Sequence, residues 1–196
     1  MNLPNKLSLS RIIISPLMMF FYLANFIPYG IGKWIALGLF IIGSITDFLD
    51  GYIARKYHLI TDLGKFLDPI GDKLLVTFAL ILVTTDGIVP LPYGAIALAI
   101  IVGRDLVVDM LRFVAASKGV VIAADWVGKY KTTTQDFALL FLLLFSALLT
   151  IAGISTTILA IVMWIAYVLL ILAVLLTIIS MINYLLKNRA VFTQNK

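Results

Sequence analysis

The stretch TDFLDGYIARKYHLITDLGKFLDPIGDK, residues 46–73, places five aspartates in a chain that is otherwise strongly apolar. Asp47 and Asp50 are three apart and share one face of a helix; Asp68 and Asp72 are four apart and share one face of the next. The connection is short, so the two helices are antiparallel neighbours and four carboxylates converge. Carboxylates held together in a low dielectric repel strongly, and acids placed in or near a membrane mark functional sites. Something positive must offset them. Hard divalent cations with oxygen ligands, Mg²⁺ or Mn²⁺, suit such a set, and a bridged pair of ions serves displacement at a phosphorus centre. Asp47, Asp50, Asp68 and Asp72 are thus candidate ligands of two divalent ions. The plainer alternative is a row of helix-end aspartates neutralised by Arg55, Lys56, Lys65 and Lys73, which would need neither this spacing nor the nearby glycines.

Those glycines carry information. A glycine within a helix costs about 1 kcal/mol relative to alanine. Gly51 and Gly64, with Ala54, remove side chains where a ligand must approach the helix backbone closely. Asp62 has two readings, a nucleotide contact or a cap of the third helix together with Thr61, and the cap is favoured. Pro69 falls in the early turns of that helix, where it disrupts least, though a local kink is expected.

The elements that position these residues follow from composition. The chain has 196 residues, 62% hydrophobic and 13% charged, with a mean hydropathy of +1.10, so it is read as an integral membrane protein. With no cysteine and one histidine, His58, it offers neither thiol chemistry nor a multi-histidine metal site. All ten acidic residues are aspartates. Six apolar spans are expected, at about 8–27, 33–56, 62–85, 92–117, 127–150 and 155–187, separated by segments rich in Gly, Pro, Asp or Ser. The last is longer than a bilayer requires and should tilt or extend beyond it. The N-terminal apolar run has no small-residue cleavage site and is read as a retained span. Fourteen of the fifteen basic residues map to one side; only Lys33 maps to the other. The positive-inside rule then places both termini and the aspartates on the cytoplasmic side of the cell membrane. No internal repeat or linker is visible, so residues 1–196 are expected to form one all-α transmembrane domain.

The spacing Asp47-x2-Asp50-Gly51-x2-Ala54-Arg55-x8-Gly64-x3-Asp68-x3-Asp72 resembles, at every position, the signature of the CDP-alcohol phosphotransferases. That resemblance implies a six-helix fold. It also implies transfer of a phosphatidyl or related group from a CDP-linked donor to an alcohol, with release of CMP. By the same resemblance the four aspartates would hold two metal ions on the donor diphosphate. Asp72 would also be the general base for the attacking hydroxyl. Gly51, Ala54, Arg55 and Gly64, with Asp47, Asp50 and Asp68, would bind the CDP donor, and the protein would be a homodimer.

The acceptor must be read elsewhere. Arg104 and Arg112 are eight apart and near one face of the fourth helix, while Lys129 and Lys131 open the fifth. A helix start with two lysines favours anions. Asn5, Ser8 and Arg11 lie at the same mouth. An arginine within a span needs a partner, and the candidates for Arg104 are Asp105, Asp109 or an anionic substrate. Lys118, Lys187, Arg189 and Lys196 read as positive-inside anchors. The segments NLPNKLSLSR, GRD…LRFVAASKG and AADWVGKYKTTTQ resemble the bacterial branch of the family that uses sn-glycerol 3-phosphate as acceptor and CDP-diacylglycerol, a membrane lipid, as donor. Ser8 departs from an expected threonine and Asp105 from an expected glutamate, each keeping the functional group. In that branch Arg112, Lys129 and Lys131, with Arg104, would clamp the acceptor phosphate. The competing readings are another acceptor (inositol phosphate, serine or phosphatidylglycerol) and a divalent-cation transporter. A transporter would favour acids near the midplane and an inverted repeat. No nucleic-acid partner is expected.

Overall fold

A computed structural model describes residues 2–24, 27–28, 30–57, 61–117 and 126–188, without the side chains of Arg55, Asp62, Lys65 and Ser117. All regular structure among these residues is helical: α1 Leu3–Leu23, α2 Ile31–Lys56, α3 Asp62–Thr85, α4 Leu91–Ser117, α5 Trp126–Leu148 and α6 Thr156–Lys187. The six helices match the six expected spans in number and nearly in bounds. The main difference is at α1, which begins at Leu3 rather than near residue 8. Pro4 causes no break, because proline is tolerated in the first turn, where its missing N–H has no intrahelical partner to lose.

By length and apolarity alone, α1, α2 over Ile31–Ala54, and α6 qualify as membrane-spanning. The other three are the helices that place Asp68 and Asp72, Arg104 to Arg112, and Lys129 to Asp136 inside their own length. Site charge lowers the very signal that identifies a span.

Helix α1 packs on α2 and α3, and α5 packs along α6. The shared core runs through Met18, Phe40, Leu80, Val83, Leu139, Leu142 and Leu143, each at most 1% exposed. Two features fix the helix ends that matter for the site. Thr61 caps α3, its Oγ1 accepting from the Gly64 amide at 3.0 Å and donating to Asn5 Oδ1 at 2.9 Å. At the opposite end of the bundle the Asp86 carboxylate accepts from Tyr22 at 2.8 Å, Lys33 at 2.6 Å and Ser146 at 3.0 Å, tying α1, α2, α3 and α5 together.

Candidate functional site

The aspartates meet as their spacing predicts, and one side chain occupies their centre. Arg11, fully buried on α1, donates from one terminal nitrogen to Asp47 and Asp72 and from the other to Asp50 at 2.5 Å. That second nitrogen also lies 3.5 Å from Asp68. Ser8, one turn earlier, donates to Asp68 and reaches Asp50 at 3.3 Å. Gly71 permits this closeness: a Cβ there would stand 3.3 Å from both the Arg11 Cβ and the Ser8 carbonyl oxygen. Asp50 is 3% exposed, whereas Asp47, Asp68 and Asp72 are 41%, 46% and 45% exposed and open to the surroundings.

One guanidinium against four carboxylates leaves three net negative charges at the centre. The donor set is all hard oxygen and already draws a buried cation into itself, which fits divalent ions in chemistry and in charge. With Arg11 between them, no three acidic side chains among the described residues are arranged as they stand around a single ion. Arg11 was expected only at the mouth, not among the acids.

Gly64 differs in its immediate role from the expected backbone approach of a ligand. A Cβ there would lie 2.8 Å from Asn5 Oδ1, so the glycine lets α1 close on the first turn of α3. Ala54 is half-buried near the end of α2. Thr61 provides the cap; the side chains of Asp62, Arg55 and Lys65, and residues Lys118, Arg189 and Lys196, lie outside the described set. Lys73 does not neutralise the four aspartates; it pairs with Asp109 and ties α3 to α4.

Arg104, Arg112 and Lys129 line one cavity of about 440 Å³ with Gly128, Thr132, Thr133 and Tyr184. Arg104 donates to Asp105 at 3.0 Å and to Ser180 at 2.5 Å. Arg112 lies against the Tyr184 ring, 5.6 Å from its centroid, and Lys129 stands 4.5 Å from that of Trp126. Lys131 is placed differently from its expected role. It is 2% exposed and donates to both oxygens of Asp105, at 2.8 and 2.7 Å, behind the cavity wall. A buried lysine favours a carboxylate partner, and among the described residues Asp105 is the one it hydrogen-bonds. Three residues that line the cavity carry a buried donor atom, Arg104 Nε, Arg112 Nε and the Tyr184 hydroxyl, with no hydrogen-bond partner among the described residues.

A second cavity, about 500 Å³ and mostly apolar, opens between α2 and α5. Phe40, Ile41, Ile45, Phe48 and Phe137 line it, and Asp47 and Asp136 sit on its wall. Thr132 and Thr133 belong to both cavities, so the apolar cleft, the cationic cavity and the edge of the aspartate cluster adjoin.

A family profile described as CDP-alcohol phosphatidyltransferase matches residues 1–184. A protein of Bacillus subtilis named CDP-diacylglycerol–glycerol-3-phosphate 3-phosphatidyltransferase is 43% identical over 154 residues, covering 73% of this chain and 77% of its own. Proteins of the same name from Rickettsia typhi and Shigella flexneri are 40% and 34% identical. The first covers 73% of this chain and 76% of its own; the second covers 96% of each.

Proposed function

The chain belongs to the CDP-alcohol phosphatidyltransferase family of membrane transferases, generally dependent on divalent metal, and from that premise we propose that it transfers a phosphatidyl group from CDP-diacylglycerol to sn-glycerol 3-phosphate. The products are phosphatidylglycerophosphate and CMP, a step of phospholipid synthesis. The observation that carries the choice of acceptor is the cationic cavity, whose unpartnered donors point to an anion and whose wall continues into an apolar cleft reaching Asp47.

The chemistry assigns each part a task. The acyl chains of the donor occupy the cleft between α2 and α5, which places its diphosphate beside Asp47. Asp47, Asp50, Asp68 and Asp72 would hold two Mg²⁺ or Mn²⁺ ions, which when bound neutralise the diphosphate and polarise the reacting phosphoryl group. By the family's signature, Gly51, Ala54 and Arg55 would bind the nucleotide, and Gly64 would serve that side by letting α1 close on α3. Arg112 and Lys129 clamp the acceptor phosphate, and Arg104 joins them while paired with Asp105. Lys131 neutralises Asp105, which leaves the charge of Arg104 less offset at the cavity. The acceptor hydroxyl then faces the donor's β-phosphate. Asp72 accepts its proton as the oxygen–phosphorus bond forms and CMP departs. Most of the rate advantage comes from holding two anionic reactants in register against a fixed field.

The basic residues favour a site on the cytoplasmic side, where CMP and glycerol phosphate are soluble, in a cell membrane that supplies the donor. A homodimer is part of the same reading. The test is CMP release by detergent-purified protein with CDP-diacylglycerol and Mg²⁺, offering glycerol 3-phosphate, inositol 1-phosphate, serine and phosphatidylglycerol in turn. Release that depends on glycerol 3-phosphate supports the reading. Release that depends on inositol 1-phosphate or phosphatidylglycerol overturns the choice of acceptor, and release that depends on serine overturns the assignment of the cationic cavity as well.

A further inference from the structure

We propose that the Tyr184 hydroxyl is a specificity-determining donor to the phosphate of the acceptor, an inference that rests on the cationic cavity being the acceptor site. Tyr184 lies in the last turns of α6 and is 2% exposed, yet its hydroxyl has no hydrogen-bond partner among the described residues. A buried hydroxyl left unsatisfied costs about 1–3 kcal/mol, so native structures rarely keep one without a ligand that completes it. Tyr184 lines the same cavity as Arg104, Arg112 and Lys129, and two of those residues, Arg104 and Arg112, also carry a buried donor nitrogen without a partner among the described residues. Every one of these orphan groups can donate, and a phosphate supplies acceptors alone.

The Arg112 guanidinium packs against the face of Tyr184, which fixes both side chains. Ser180, one turn earlier on the same face of α6, fixes Arg104 through a hydrogen bond of 2.5 Å. The end of α6 therefore acts as the third wall of the cavity, opposite the fifth helix with Lys129, Thr132 and Thr133. The length of α6, 32 residues, is what carries this wall to the site. A neutral acceptor would offer these donors weaker acceptors than a phosphate, so the hydroxyl contributes discrimination as well as affinity.

Tyr184→Phe keeps the ring and its contact with Arg112 and removes only the oxygen. The expected result is a rise of about 10–150-fold in KM for glycerol 3-phosphate, consistent with the loss of one hydrogen bond to a charged group, with kcat changed less than twofold. In parallel, the thermal midpoint without acceptor should be unchanged or higher, because the orphan oxygen is gone, while the upward shift produced by glycerol 3-phosphate should shrink. Arg112→Gln serves as the reference for the cavity itself. If Arg112→Gln weakens the acceptor-induced shift and Tyr184→Phe leaves both KM and shift at wild-type values, the role of the hydroxyl is refuted and the cavity assignment stands. If neither substitution alters them, the cavity assignment falls and the inference falls with it.

Discussion

Arg11 offers the sharpest perturbation, because its removal leaves four carboxylates facing one another. Among its contacts only Asp50 is buried, at 0% exposure for Arg11 and 3% for the acid; the other three aspartates are 41–46% exposed. Removing one partner of a buried ion pair costs about 3–5 kcal/mol, whereas a well-solvated pair contributes about 0–1 kcal/mol. The Asp50 contact therefore sets the magnitude. Arg11→Met should destabilise the protein by about 3–5 kcal/mol in the presence of a chelator. At about 2–4 °C per kcal/mol for a chain of this size, the thermal midpoint should fall by roughly 6–20 °C. Divalent ions neutralise the same acids, so 5–10 mM Mg²⁺ (roughly, a level saturating a weak carboxylate site) should recover at least half of the loss. The assay is thermal unfolding in detergent, wild type against Arg11→Met, with chelator and with Mg²⁺. A fall of equal size in both conditions would refute the idea that the guanidinium and the ions answer the same charge, and no fall in chelator would refute the central position of Arg11.

Three further outcomes follow from the same contacts. Lys131→Met should lower stability by about 1–3 kcal/mol, since Asp105 keeps only Arg104, and adding Asp105→Asn should restore at least half of it; a thermal double-mutant cycle measures the coupling. Gly71→Leu should cost about 1–3 kcal/mol by overpacking against Arg11 and Ser8 and should cut CMP release more than tenfold, read from paired unfolding and activity measurements. Asp86→Asn, at the far end of the bundle, should lower the thermal midpoint through loss of the Lys33 and Tyr22 contacts while leaving CMP release within about threefold of wild type.

Much of this site was legible in the residues. Aspartate spacing of three and four on two short-linked helices dictates that the acids converge, and turn-forming residues mark the six helices. What was hidden depends on packing between distant segments. Arg11 reads as a residue at the mouth of the site beside Asn5 and Ser8; the close approach of α1 to Gly71 carries it into the acids. Lys131 reads as a helix-opening lysine that would clamp the acceptor phosphate, yet α4 and α5 both meet α6 in a way that seats it on Asp105, twenty-six positions away. Tyr184 resembles an aromatic anchor at a membrane interface. A signal for it did exist: Thr177, Ser180 and Tyr184 fall on one face of a helix that is otherwise almost wholly apolar, and all three are buried.

The measurement that bears most directly on the account is CMP release by Asp72→Asn, with CDP-diacylglycerol, glycerol 3-phosphate and Mg²⁺, in protein shown to be folded by its thermal transition. Asparagine keeps the shape of the side chain and removes both its charge and its capacity to take a proton. The account predicts a loss of about 10²–10⁴-fold, the range expected for a general base that also holds the charge of the site. Release within a few-fold of wild type would show that the four aspartates are not the catalytic centre.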